Sequence, residues 1–344
     1  MARIAVVGAG LIGQRHIQAI QRSASATLAA VVDPLPQPGL SVPTYASLAD
    51  LLNSDRPDGV ILATPTPLHA SGALECIAAG IPILVEKPLT ATLAEARQVT
   101  TAAQKAGVAV LVGHHRRHNP LIRKASDFIA KGGIGQVRSV QATCWFYKPD
   151  DYFDAAPWRK KQGAGPISVN LVHDVDLLRL FCGEVVSVQA QMTPALRGYE
   201  NEDLAAALLR FSSGALATLS VSDSIAAPWS WELTSGENPA YSKTSQSCYL
   251  IGGSTASLSL PDFRLWQHEG GPHWWHPMTE TAQVIPPATD DNDPLVLQIA
   301  QFAAVIAGTE TPLVSGEEGL RTMVVIEAIA RAAQSGQMVL TADL

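Results

Sequence analysis

The chain has 344 residues, 47% of them hydrophobic and 16% charged, with a formal net charge of -7. This composition can fill a large buried core without metal or disulfide staples and lies far from the disordered class. The negative balance, with a basic cluster limited to Arg116 and Arg117 among histidines, excludes nucleic acid as an expected partner. The length predicts two domains, one over 1–120 and one over 121–344. Cys76, Cys144, Cys182 and Cys248 show neither a C-x-x-C pair nor zinc spacing, and are expected to be reduced and mostly buried. Gly8, Gly10 and Gly13 break the apolar N-terminus, so it does not read as a signal peptide, and no run reaches the roughly 18 apolar residues of a membrane span. A cytoplasmic location is expected, without membrane contact.

In chain order, continuously apolar runs at Arg3 to Val7, Thr27 to Val32, Gly59 to Ala63, Ile81 to Val85 and Val108 to Val112 predict strands covered on both faces. Helical spacing lies between them at Leu11 to Arg22, Ser47 to Asn53, Leu68 to Ala79 and Leu93 to Ala106, with Gly80 and Gly107 as stops. This alternation predicts a doubly wound α/β domain with a parallel sheet. After Asn119-Pro120 a helix is expected to about Lys131, then a strand from Val137 to Phe146, a polar loop from Lys148 to Gly165, and one further helix. Period-two alternation from Val185 to about Leu260 predicts antiparallel strands of a separate α+β domain. Asp262 to Asp293 has no period and reads as irregular or edge structure. Two helices, Leu295 to Ala307 and Gly316 to Gln334, close the chain.

Gly8-Ala9-Gly10-Leu11-Ile12-Gly13 is a G-x-G-x-x-G turn between the first predicted strand and helix, and Asp33 ends the next strand, twenty residues beyond Gly13. Gly8 permits the tight turn, Gly10 lets the backbone approach a pyrophosphate, and Gly13 allows close helix packing, while the helix N-terminal amides receive the phosphate charge. Asp33 would accept hydrogen bonds from the adenosine ribose. Its carboxylate would repel a 2'-phosphate, and Pro34 stands where an arginine would receive one, so NAD is favoured as cofactor without excluding NADP.

With this turn, the segments Ala63-Thr64-Pro65-Thr66-Pro67-Leu68-His69, Glu86-Lys87-Pro88 and His173-Asp174-Val175-Asp176 resemble the glucose-fructose oxidoreductase / inositol dehydrogenase / rhizopine catabolism (Gfo/Idh/MocA) family over essentially the whole chain. The stretches 113–120, Trp158-Arg159 and 316–321 are similar to that family as well. The resemblance implies an NAD(P)-binding Rossmann domain over 1–120 and an α+β substrate and oligomerisation domain over 121–344 with a large, open-faced, mostly antiparallel sheet. The glycine turn, the ends of the parallel strands and these segments together give the expected cofactor set: Gly8, Gly10, Leu11, Ile12, Gly13, Asp33, Thr64, Pro65, His69, Glu86, Lys87 and Arg116. Lys87 and His173 take the catalytic positions, and Lys87-Pro88 is a candidate cis bond. The substrate set is Lys87, His115, Tyr152, Trp158, Arg159, Asn170 and His173.

Oxidising a secondary alcohol needs a base for the hydroxyl proton and positive charge near the developing alkoxide. His173 suits the first task and Lys87 the second; Asp176, one turn on, could orient the imidazole. Many family members carry an aspartate one turn before the histidine, where this chain has Val169, with Asn170 beside it. Asn170 can hydrogen-bond a substrate but cannot act as a carboxylate base, so transfer of inositol or glucose specificity is not supported.

Taken alone, His173 on an apolar helix reads as a structural histidine, and Lys87 beside Glu86 as a strand-end ion pair. Asp174 and Arg179 read as a solvated helix face. His114 to His118, taken as extended, point to opposite faces and cannot all reach one ligand, so no metal is expected; His115 and Arg116 are the candidates for a ligand edge. Trp274 and Trp275 are assigned to an interface, and an open sheet face predicts a homodimer or homotetramer. The expected activity is an NAD(P)-dependent dehydrogenase acting on a small sugar, cyclitol or related polyol. The alternatives are an NAD-dependent glycoside hydrolase using transient oxidation, and a non-catalytic NAD-binding sensor.

Overall fold

The first apolar runs form the central strands of a parallel sheet, in which residues 4–7, 60–62 and 83–85 are buried throughout. The computed structural model describes residues 1–35, 37, 39–282 and 292–344. In chain order the first elements are β1 (Ala2–Val7), α1 (Leu11–Arg22), β2 (Ala26–Val32), β3 (Thr44–Tyr45), α2 (Leu48–Ser54), β4 (Gly59–Leu62), α3 (His69–Ala78), β5 (Ile83–Val85), α4 (Leu93–Ala106) and β6 (Val110–Val112). Then follow α5 (Pro120–Ala130), β7 (Val137–Trp145), α6 (Asp150–Asp154), α7 (Pro166–Val169), α8 (Leu171–Cys182), β8 (Val185–Pro194), β9 (Glu202–Phe211) and β10 (Leu216–Ser222). The chain continues with α9 (Trp231–Thr234), β11 (Tyr249–Gly253), β12 (Ala256–Leu260), β13 (Arg264–His268), β14 (Met278–Ala282), α10 (Pro294–Ile306), α11 (Gly316–Ser335) and β15 (Val339–Leu340).

By contacts the chain forms two units. The first holds Met1–Asn119, α10 and the start of α11 through Met323. Its sheet runs β3-β2-β1-β4-β5-β6 and is parallel throughout. Local chemistry sets the helix ends. The Ser47 hydroxyl caps α2 at Asp50 N, Thr92 and Glu95 make a capping box on α4, and Gly107 ends α4 in the left-handed region at φ 65°. β3 is too short to carry a period, and the sequence reading omits it.

A single boundary at residue 120 differs from this grouping. Leu295, Ile299, Phe302 and Val305 of α10 join one core with Ile4, Val6, Ile17 and Ile61. The fit is close: a Cβ on Gly59 would lie 2.5 Å from Ile306 Cδ1 and 2.8 Å from Phe302 Cζ. An apolar helix returning far along the chain leaves no trace in the spacing of the strands it covers.

The second unit holds Pro120 through β14 and Val324–Leu344. Its sheet has nine strands in the order β14-β13-β12-β11-β7-β10-β9-β8-β15. Every pairing is antiparallel except β7 with β10, which run parallel. Alternation sets the faces: Asp203, Ala205, Ala207, Leu209 and Phe211 of β9 are buried, with less buried residues between them. Val140, Ala142 and Cys144 of β7 share a core with Ile122 of α5 and Val175 and Leu178 of α8.

The stretch expected to be irregular or edge structure contains the β13–β14 hairpin, with β14 the outermost strand; residues 283–291 of it lie outside the described residues. The expected loop from Lys148 to Gly165 contains α6 and a 3-10 turn, Pro157–Lys160. All four cysteines are free and buried, and burial pushes the Cys76 and Cys182 thiols up to about 12. Among the described residues no helix is long and apolar enough to cross a membrane.

Candidate active site

The glycine turn between β1 and α1 is packed where it must be and open where a ligand would come. Gly8 has φ +91°, and a Cβ there would lie 2.7 Å from the Ala63 carbonyl oxygen. A Cβ on Gly13 would lie 1.9 Å from the Gly8 oxygen, so helix and turn meet backbone to backbone. At Gly10 nothing lies within 4 Å of that position. Gly10 is also the N-cap of the twelve-residue α1, and no side chain caps the helix. Leu11 beside it is 86% exposed, and Ile12 is half-buried. An anionic dinucleotide backbone fits this open, uncapped helix end. The Asp33 carboxylate accepts from Ala9 N (2.8 Å) and Leu35 N (2.9 Å), so it braces the glycine turn as well as standing at the end of β2.

The strand ends next to this turn are tied together. After β4, the Thr64 hydroxyl oxygen is buried with no hydrogen-bond partner among the described residues, a donor waiting for an acceptor; Pro65 is exposed. His69 is 1% exposed and spans two loops, Nδ1 to the Pro88 carbonyl and Nε2 to the Thr64 carbonyl, both at 2.9 Å. Both ring nitrogens are therefore taken up by backbone, and His69 offers neither to a cofactor. Glu86 is likewise a support: Oε1 meets His16 Nε2 at 2.7 Å in a buried pair, and Oε2 accepts from Lys87 N at 3.1 Å. Burial would raise this carboxyl, but the hydrogen bond and charge of His16, with Lys87 and His115, bring it down to about 2. Lys87 itself is half-buried, and the Lys87–Pro88 bond is cis, as the resemblance implied.

Residues His115–His118 form a 3-10 turn rather than the extended segment expected. Arg116 is 3% exposed, and Arg117 pairs with Glu318 at 3.3 Å. Only His115 of that turn is half-exposed. Capping the end of β6 with a tight turn buries the arginines, which no periodicity argument detects.

In the second unit, His173 is 7% exposed in the first turn of α8, and its backbone N–H donates to the Asn170 carbonyl. Asn170 separates α7 from α8, so the single helix expected here is broken at that residue. Its side-chain oxygen accepts from Lys148 Nζ at 2.8 Å, and Lys148 also meets Asp223 Oδ2 at 3.3 Å. Lys148 and Asp223 follow the parallel neighbours β7 and β10 and so emerge at one end of the sheet. Arg197 adds a donor to the Lys148 carbonyl at 2.7 Å and stands 3.7 Å from Asp223. Below, Glu202 accepts from Ile167 N at the start of α7. A Cβ on Gly165 would lie 2.2 Å from that carboxyl group. Burial raises the Asp223 carboxyl and lowers the Lys148 ammonium, while their pairing opposes both shifts.

Tyr152 sits against this cluster, with Lys148 Nζ 5.1 Å and Arg159 Cζ 4.1 Å from its ring centroid. Trp158 is 57% exposed. Asp174 and Arg179, expected on a solvated face, are both buried: Asp174 accepts from the Tyr249 hydroxyl, and Arg179 pairs with Glu184 at 2.8 Å. The sheet covers that side of α8, a tertiary event. Lys148, Asp223, Arg197 and Glu202 are missing from the sequence-based site because their only common feature, position at one sheet end, needs the strand order. Trp274 and Trp275 are 81% and 75% exposed between β13 and β14.

A doubly wound parallel sheet with an open glycine turn, joined to a mixed sheet bearing a histidine helix, defines a two-domain dinucleotide-dependent oxidoreductase. Residues 2–114 match the oxidoreductase family with an NAD-binding Rossmann fold, and residues 122–257 match the Gfo/Idh/MocA C-terminal domain. The chain belongs to the Gfo/Idh/MocA family and is an NAD(P)-dependent oxidoreductase. It is 32% identical over 187 residues to the rhizopine catabolism protein MocA of Rhizobium meliloti, an alignment covering 53% of this chain and 57% of that one. Over 348 residues it is 25% identical to 1,5-anhydro-D-fructose reductase of Ensifer adhaerens, covering 98% of each. It is also similar to the WlbA dehydrogenase of Bordetella pertussis, solved with NADH and UDP-GlcNAcA (26% identity, TM-score 0.79, 98% of each chain).

Proposed function

We propose that this chain is a dehydrogenase that interconverts a secondary alcohol and a ketone on a sugar, cyclitol or related polyol. The observation that carries the reading is the uncapped N-terminus of α1 behind the Gly8 turn, open at Gly10, with the buried Thr64 hydroxyl and Lys87 on neighbouring strand ends. The relatives' names support it, being those of a sugar reductase and of a dehydrogenase solved with a nucleotide sugar. Held by the glycine turn and Asp33, NAD would supply the hydride acceptor for the carbinol carbon. His173 takes the hydroxyl proton, and the Lys87 ammonium stabilises the oxygen as it gains alkoxide character. Reduction returns the same proton from His173. Glu86 and His69 position Lys87 and Thr64 through the bonds described above. Asp33 holds the adenosine ribose and favours NAD over NADP, since its carboxylate repels a 2'-phosphate. His115, Tyr152, Trp158, Arg159 and Asn170 belong to the substrate side.

The protein assembles as a homodimer or homotetramer through the open face of the nine-stranded sheet, where Leu208, Thr218 and Gln189 are among the outward residues. No observation favours the glycoside-cleaving or sensor alternatives. The test is NADH absorbance with a panel of polyols and sugars, with Lys87→Ala and His173→Ala alongside. Each variant is expected to lose at least about a thousandfold in kcat, on the scale of acid–base and electrostatic contributions, with His173→Ala binding NADH normally. Retained turnover in both variants would remove their assigned roles.

A further inference from the structure

Asparagine is among the preferred helix N-caps because its side-chain oxygen accepts from the first-turn amides. Asn170 stands at the N-cap of α8 and does not cap it. Its oxygen is bonded to Lys148 Nζ at 2.8 Å instead. An ammonium has only donors, so this bond fixes which way the amide is turned. The oxygen is committed to Lys148, and Nδ2, with its two protons, has no protein partner among the described residues. Asn170 is half-buried and three residues before His173, on the same helical turn. Lys148 is in turn anchored by Asp223 at 3.3 Å, which opposes the loss of its proton through burial.

A second donor-only group stands nearby. Arg159 shares the Tyr152 ring with Lys148. Its Nη1 donates to the Tyr152 carbonyl, its Nε is buried without a partner, and no carboxylate among the described residues pairs with it. A half-buried guanidinium lacking a counter-ion and an amide presenting only N–H groups both call for acceptor oxygens, preferably anionic ones.

We infer that Lys148 holds Asn170 as a donor, and that Asn170 and Arg159 select a substrate carrying a carboxylate beside the carbinol, a polyhydroxy acid rather than a neutral sugar or cyclitol. This rests on the reading of His173 as the proton acceptor and narrows the substrate class of that same site. Lys148 is a positioning residue here, acting through Asn170. A carboxylate gains charge-assisted hydrogen bonds from this corner, about twice as strong as those a neutral hydroxyl would accept.

The test uses the full chain with NAD and two panels: D-gluconate, D-galactonate and D-mannonate against D-glucose, D-galactose and myo-inositol. The acids are expected to show at least about tenfold higher kcat/KM, the scale of a charge-assisted hydrogen bond. Asn170→Asp places a second carboxylate at the corner and should raise KM for the acids by about a hundredfold, at least about tenfold more than it raises KM for the neutral compounds. Lys148→Met should raise KM for the acids about tenfold with kcat little changed, and Lys148→Arg should recover part of that loss. NADH affinity and melting temperature report whether each variant is folded; a purely structural role for Lys148 would lower turnover of both panels alike. Equal use of neutral compounds, or equal losses in both panels, would overturn the inference and leave the dehydrogenase standing. NADH binding without turnover of either panel would overturn the dehydrogenase reading, and the inference with it.

Discussion

His16 and Glu86 put a buried ion-pair geometry directly behind Lys87, and the energetics of that pair can be tested without a substrate. Replacing His16 with leucine leaves the Glu86 carboxylate buried without its imidazole partner, which costs about 3–5 kcal/mol for a pair of this kind. Urea denaturation at pH 7 should show that loss. The pH dependence has a definite sign. The Glu86 carboxyl is at about 2 in the folded chain against an ordinary 4.5, so between those values the unfolded chain binds more protons. The contribution is fully present above pH 4.5 and fades as pH falls towards about 2, so the gap between wild type and His16→Leu should narrow over that window. An unchanged gap would mean that Glu86 is not held ionised by His16. The sequence names Glu86 as a neighbour of Lys87, but His16, seventy residues away, becomes its partner only when the fold brings α1 to the residue that follows β5.

At the scale of the element, the glycine turn separates folding from binding. Gly13→Ala forces a methyl into the Gly8 carbonyl and should cost about 1–3 kcal/mol or more, because backbone on both sides must move. Gly10→Ala meets nothing within 4 Å and has an ordinary φ of −67°, so stability should stay within about 1 kcal/mol of wild type. The same methyl occupies the approach to α1, and NADH affinity should fall at least about tenfold, which a fluorescence titration would read. Equal effects of both substitutions on stability would deny the open route at Gly10. The roles of these glycines were legible in sequence because strand, turn and helix are contiguous. The 3-10 turn at His115–His118 was not, since a short polar segment carries no period.

For the whole molecule, the open face of the nine-stranded sheet is the surface on which assembly is proposed. It is a mixed face, with Gln141, Thr143, Gln189 and Gln191 among Ala206 and Leu208, as expected of an interface that buries hydrogen-bonding side chains along with apolar ones. Introducing like charges at Leu208 and Thr218, as Leu208→Glu with Thr218→Glu, should dissociate the oligomer in sedimentation velocity while leaving the melting transition of the subunit cooperative. A wild-type chain that sediments as a monomer would remove the proposed interface.

Contiguous signals determined the glycine turn with Asp33 and each strand–helix step of the parallel α/β unit, because each is written within about thirty residues of chain, and the order of such short motifs along the chain determined the membership in an oxidoreductase family. Tertiary structure decided what depends on distant segments meeting. It brought α10 onto the first sheet, buried Asp174 and Arg179 that looked solvated, and turned His69 and Glu86 into supports. It also set Lys148 against Asn170 and Asp223. Side-chain partners of that kind follow from strand order and from which ends of neighbouring strands coincide, and local patterning does not encode either.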